Sequence, residues 1–515
     1  MLVFDFETRI DPSQRLTFGS YRVYRSTDRL VQEGLVYADD LPPVDLGVLE
    51  RYVHDYADDR GGRLRLMSRT DFVNAVLWPI GYEARALIVG YNLPFDLSRL
   101  AVGWRPAREG GITLKLWQTV SADGEVRDHR WRPEIRVRAL DPRRQFIEFT
   151  GPMKLDANNR VLLGDGTGAW AFYRGRFLDL HTLAFALTDR NLSLDAAAGV
   201  FKLAERKDVV EQHGEVTEAY VDYNRQDVHL TWQLFVALRT EWDLHPIDLD
   251  PEQAMSPAGI AKGYLRAAGI SPPLARATAI DPLVHGRFMV AYLGGRSEER
   301  VRRVPLPCVY TDFSSMYVTT FSLLGFDRWL AADSFETYDA TGAARRVLHE
   351  ADRERLLEPT FWGDLAGVVC RVRPAGELLP ARSRWDADPE DDAGAWTIGL
   401  NAITADQDIW FALPDLIVAK LHCRAPEILE AIGVRAVGTA PTLRPVELRG
   451  EVTVDPRHRD LFRTAIEERA LLKARQGTHD LQQFLKTFAN SGAYGIFAEY
   501  RALAPKPQSV AVNTR

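Results

Sequence analysis

Two acids one residue apart stand near the start of the chain, Asp5 and Glu7 in Val3-Phe4-Asp5-Phe6-Glu7-Thr8. A strand here would point both carboxylates one way and Phe4 and Phe6 the other. Like charges so close repel, and a half-buried strand tolerates them mainly when a divalent cation lies between them, so the pair reads as metal ligands. An exposed edge strand with two solvated acids is the alternative. Asp96 is a third acid of interest. The apolar run Ala86-Leu87-Ile88-Val89-Gly90-Tyr91 reads as a buried strand, and Asn92-Leu93-Pro94-Phe95-Asp96 leads from it into a helix expected over residues 97–102. Asp96 then sits at a strand end that delivers a carboxylate, or caps the helix. Tyr223 and Asp227 lie four apart on a helical pattern running from Glu218 to Leu238, hence on one face, a spacing also common on ordinary surfaces. Asp179, ending another short apolar run, reads as a helix cap.

The second half repeats the theme. Cys308-Val309-Tyr310-Thr311-Asp312 is expected to be a buried strand ending in an acid that either ligates or caps a turn, and Phe313-Ser314-Ser315-Met316-Tyr317 follows it. Tyr292-Leu293-Gly294-Gly295, with Arg296, Arg300, Arg302 and Arg303 after it, is either a glycine turn or a place where backbone and cations approach a phosphate. Two helices, about 456–476 and 480–494 and separated by Gly477-Thr478, should form an antiparallel hairpin. Arg469 and Lys473 would share one face of the first, and Lys486, Asn490 and Tyr494 one face of the second.

These residues need a scaffold of several cores: 515 residues exceed what one core organises. A net charge of -7 argues against a generally basic nucleic-acid coat and leaves local basic grooves open. Three scattered cysteines suggest neither a disulfide framework nor a zinc site, and together with the absence of a long apolar run they fit a reducing cytoplasm. The Arg-rich stretch 99–144, with Trp104, Trp117 and Trp131 interleaved, suits either phosphates and stacked bases or a solvated sheet face. Residues 321–445 are the least legible, and the acidic loop 386–392 is expected to be a solvated insertion.

In order, Asp5-x-Glu7, Asn92-x-x-Phe95-Asp96 and Tyr223-x-x-x-Asp227 resemble the three exonuclease motifs of the DEDDy proofreading nucleases. The resemblance implies an α/β, ribonuclease H-like domain over about 1–245, within an α+β whole. Asp5, Glu7, Asp96 and Asp227 would hold two divalent ions, Mg2+ or Mn2+, Tyr223 would orient the attacking water, and Asn92 and Phe95 would hold the terminal nucleotide. Tyr292-x-Gly294-Gly295 looks like the motif that joins exonuclease to polymerase in family B DNA polymerases, here within a connecting segment 246–300. The Asp312 segment resembles polymerase motif A of a partial palm, 301–454, with Val318 where Pro is usual. By that likeness Asp312 binds metal, Ser314 and Ser315 receive the triphosphate, and Tyr317 is the gate against ribose. Lys486-x-x-x-Asn490-Ser491-Gly492-Ala493-Tyr494-Gly495 matches motif B in the hairpin fingers, 455–515, where Arg469, Lys473, Lys486, Asn490 and Tyr494 would meet the dNTP. The implied partners are a primer-template, a single-stranded 3' end and dNTPs. The family's Tyr-x-Asp-Thr-Asp motif does not occur in the chain. The expectation is therefore a polymerase front portion with proofreading nuclease whose extension either needs a second polypeptide or is lost, the alternatives being a nuclease alone or a non-catalytic DNA-binding remnant.

Overall fold

The computed structural model describes residues 1–493 except 27, 108–109, 122, 130–131, 151–172, 207–213, 297, 299–300, 302–303, 314, 363–364, 366 and 385–395. The chain forms two compact units, Met1–Ile260 and Ala261–Arg515, with a mixed α/β organisation. Among the described residues no helix is long and apolar enough to cross a membrane.

The first unit begins with β1 (Leu2–Thr8), β2 (Leu16–Arg25), β3 (Arg29–Tyr37), α1 (Pro43–Asp55) and β4 (Arg65–Ser68). Next come α2 (Arg69–Phe72), which runs on into a π-helical stretch Val73–Glu83 containing Pro79, then β5 (Leu87–Gly90) and α3 (Leu93–Leu100). There follow β6 (Gly103–Pro106), β7 (Ile112–Lys115), β8 (Gln118–Val120), β9 (Val126–Asp128), β10 (Glu134–Asp141), β11 (Arg144–Thr150) and β12 (Arg176–Asp179). The helices α4 (Leu180–Thr188), α5 (Leu194–Val200) and α6 (Glu218–Trp242) complete the unit's main elements.

Six strands form the principal sheet in the order β12-β5-β1-β2-β3-β4. β2 pairs antiparallel with β1 and with β3, whereas β5 runs parallel to β1 and β12 parallel to β5. The C-terminal ends of β1, β5 and β12 therefore meet at one edge, which is where side chains from separate parts of an α/β chain are brought together. One face of the sheet buries Phe4 and Phe6 against Phe72, with ring centroids 6.0 and 5.9 Å away and edge-on, in a core that also takes in Leu114 and Ile135 from the smaller sheet β11-β10-β7-β6 and Trp117 from the link that follows β7. The other face is covered by α1 and α6, where Phe18, Leu35, Tyr52, Tyr220 and Val221 close a second core. The expected alternation of β1 is thus present, and its register with β2 shifts between Phe6 and Thr8, where β2 carries one residue more than β1.

One expectation is corrected in this unit: the helix after β5 starts at Leu93, not Leu97, so Asp96 lies in its first turn rather than at a strand end. Pro94 suits an opening turn, where its missing N–H is not needed, and Asn92 enters with φ of 69°, a left-handed conformation that asparagine tolerates better than most residues.

The second unit contains an antiparallel sheet in the order Ser334–Asp339, Ile428–Val437, Val368–Val372, Ile409–Ala412, packed on helices Thr341–Glu350 and Leu413–His422 through Leu348, Leu416, Ile417 and Phe411. Helices Leu461–Leu472 and His479–Gly492 form the expected hairpin, with the first shorter than the sequence suggested. Thr478 does not cap the second helix. Its hydroxyl donates to the Leu472 and Arg475 carbonyls, left over at the end of the first. The expected buried strand Cys308–Asp312 is overturned: residues 304–313 carry no regular structure and are exposed, Val309 at 90 % and Tyr310 at 92 %. A strand is stable only when a neighbour satisfies its N–H and C=O groups, and among the described residues none pairs with this segment.

Candidate metal centre

β1 brings Asp5 and Glu7 to the face covered by α6, and α6 brings Asp227 over them. Each of the three offers a ligand oxygen, and these lie within 4.8 Å of one another. What sets the rotation of α6 is a buried ionic network one residue round its axis from the site. Arg225 bonds Glu33 of β3 at 3.0 Å and the Tyr52 hydroxyl of α1 at 3.0 Å, while Arg22 of β2 bonds the same Glu33 at 3.1 Å and Asp59 at 2.5 Å. Glu33 is 1 % and Arg22 4 % exposed, so the helix is tied through Arg225 to charges of the sheet that are shielded from water. Consecutive helical residues diverge by roughly 100°. With Arg225 held on one side, Asn224 and Asp227 face β1.

Three further contacts shape the acids. The Asn224 amide donates to Asp5 Oδ2 at 2.9 Å and Glu7 Oε1 at 3.3 Å, and the Tyr220 hydroxyl donates to Glu7 Oε2. Burial, and then the charge of Glu7, push the Tyr220 phenol far above its ordinary pKa, which keeps it a donor. Tyr223 is 8 % exposed, its ring 5.9 Å from that of Tyr220.

Asp96 comes to the same region from α3. Its Oδ1 accepts the Phe6 amide at 3.2 Å, and its Oδ2 is buried with no hydrogen-bond partner among the described residues. Burial first, and the charge on Asp5 second, raise its pKa well above the ordinary aspartate value. Three converging carboxylates with a fourth buried alongside, one oxygen unanswered, fit a hard divalent cation, which takes oxygen ligands and supplies the missing positive charge. Asp179 caps α4 through the Thr182 amide and also accepts the Asn92 and Leu93 amides at 2.8 and 3.0 Å, so it pins the turn from which α3 delivers Asp96. Asn92 is exposed at that turn, and Phe95 is half-buried with the Arg99 guanidinium 4.5 Å over its ring.

In the second unit Asp312 is exposed in the irregular segment, and Tyr317, 72 % exposed, lies in the first turn of helix Met316–Leu323. Ser315 precedes that helix with φ of 53°. A Cβ on Gly295 would stand 3.7 Å from the Tyr317 hydroxyl, which puts the Tyr292-Gly294-Gly295 turn beside this helix. The helix packs on both arms of the hairpin, with Phe321 edge-on to Phe462 at 5.5 Å and Ser322 donating to Asp460. Lys473, Lys486 and Asn490 are exposed and Arg469 half-buried. Ser314, Tyr494, Arg300, Arg302, Arg303 and the acidic loop 386–392 lie outside the described residues.

Sequence reasoning missed Tyr220, Asn224 and the Arg22–Glu33–Arg225 network. The 220/224/227 spacing puts Tyr220 and Asn224 on the face of Asp227, a signal that becomes meaningful only once β1 is known to lie opposite. No protein-family model matches the chain, and none of the curated proteins matches it.

Proposed function

We propose that the chain is family B DNA polymerase-like and that its first unit is a metal-dependent 3'-to-5' exonuclease. The observation that carries the nuclease reading is the convergence of Asp5, Glu7 and Asp227 from the two ends of the first unit, with buried Asp96 beside them. The sheet order supports a ribonuclease H-like reading, since an antiparallel β3-β2-β1 meander is extended by two strands parallel to β1. Mg2+ or Mn2+ held by these four acids would supply an activated water and a neutralised leaving oxygen, the two requirements of phosphodiester hydrolysis.

The remaining roles belong to the chain's own groups. Tyr220 fixes one oxygen of Glu7 and leaves the other to face the site. Asp179 holds the Asn92–Leu93 turn, so that Asp96 and Phe95 move as one rigid helix start. Phe95 offers a ring for the terminal base, and Tyr223 orients the water. The polymerase half is supported by the packing of the Tyr317 helix on the hairpin that carries Lys486 and Asn490.

A 5'-labelled single-stranded DNA incubated with the protein and Mg2+ or Mn2+ tests the nuclease. Stepwise shortening from the 3' end is expected, and Asp5→Ala or Asp227→Ala should abolish it. DNA left intact by the wild type would sink the nuclease reading and leave a DNA-binding protein without chemistry.

A further inference from the structure

We propose that Asn224 is a resident substitute for a cation: its amide holds Asp5 and Glu7 together in the cation-free protein and yields them when a divalent ion binds, thereby setting the ion affinity of the site. The inference rests on the metal-centre reading above and adds a residue to it.

Asn224 is fully buried, and its Nδ2 lies 2.9 Å from Asp5 Oδ2 and 3.3 Å from Glu7 Oε1, with the Asp5 backbone carbonyl a longer third acceptor at 3.4 Å. The orientation follows from the neighbours, because the flipped amide would set Oδ1 against two anionic oxygens. The partial positive charge of an amide NH2 thus occupies the place between the acids where a full positive charge would do more. Two like charges held this close need such a partner whenever the ion is absent. The residue is placed by its backbone, whose carbonyl accepts the Ser20 hydroxyl at 3.2 Å. Its Oδ1, by contrast, is buried with no hydrogen-bond partner among the described residues. The amide is therefore held only at the end that touches the acids, and it can withdraw without breaking bonds at the other. Ion and amide compete for the same two oxygens, so part of the ion's binding energy goes into displacing Nδ2. A shape-preserving change that removes the amide should abolish that competition.

The experiment is a calorimetric Mn2+ titration of the full chain as wild type, Asn224→Ala and Asn224→Leu, with Asp227→Ala identifying the site by loss of the isotherm. Thermal unfolding is followed in EDTA and in saturating Mn2+. Both Asn224 variants should bind Mn2+ about tenfold more tightly, ~1.4 kcal/mol, and should lose stability in EDTA but not in Mn2+. A variant that folds only with Mn2+ present supports the proposal in the same way, and Asn224→Leu, which fills the vacated volume, gives the isotherm if the alanine variant does not fold. Unchanged affinity would overturn the proposal, and weaker binding would overturn it by making Oδ1 a ligand. If the wild type binds no Mn2+, the metal-centre reading itself fails, an outcome distinct from normal wild-type binding with unaltered variants.

Discussion

Asp96→Asn should make the cation-free protein more stable while inactivating it. The carboxylate is 2 % exposed, one oxygen accepts the Phe6 amide, and the other is buried with no partner among the described residues. Burial and the nearby charge of Asp5 raise its pKa in the folded state above the unfolded value. Folding therefore favours the protonated form, and stability is lost as pH rises from the ordinary aspartate value through the raised one. Asparagine keeps an acceptor for the Phe6 amide, places a donor where Oδ2 stood, and has no charge to desolvate. An unanswered buried polar atom costs about 1–3 kcal/mol. For a unit of this size each kcal/mol corresponds to roughly 2–4 °C, so the melting temperature in EDTA at pH 8 should rise by about 2–12 °C. As pH falls toward the ordinary aspartate value the difference should narrow, because wild-type Asp96 takes up a proton and loses the penalty. Saturating Mn2+ should reverse the order by stabilising the wild type more. Nuclease activity should fall by about 100-fold or more, since an amide cannot replace an anionic ligand. An Asp96→Asn protein that is less stable than wild type in EDTA at pH 8, or whose advantage does not change with pH, would refute the reasoning.

Two stability predictions test the frame around the site. Glu33→Ala leaves the buried Arg22 and the half-buried Arg225 without their shared acid, and should cost about 3–5 kcal/mol by chemical denaturation; a loss under 1 kcal/mol would mean that water or Asp59 compensates. Gly492→Ala would place a Cβ 2.4 Å from the Phe462 ring at the crossing of the hairpin helices, so it should destabilise the second unit by about 1–3 kcal/mol despite alanine's better helix propensity. A neutral result there would show that the Phe462 ring is free to move.

Much of the candidate centre was legible in the sequence because its signals are local. The alternation of Phe4-Asp5-Phe6-Glu7 and the four-residue spacing of Tyr223 and Asp227 are properties of a strand and a helix wherever they pack, and both elements are present. Asp96 stands out by its neighbours, but its element does not: the pattern after Gly90 places the helix start four residues late, and Pro94 lies in the opening turn. The buried strand expected at Cys308–Asp312 failed for a different reason, since apolar composition makes a strand possible and only a pairing neighbour makes it real. Asn224, Tyr220 and the Arg22–Glu33–Arg225 network belong wholly to the tertiary structure. Their partners stand on strands far away in the chain, and what determines whether a polar helix residue meets solvent, an acid or a guanidinium is the face that long-range packing turns toward the sheet. The sequence alone thus determined which acids could act together. The rotation of α6 over β1, set by buried charges on β2 and β3, decided that three of them meet and that an amide stands between two.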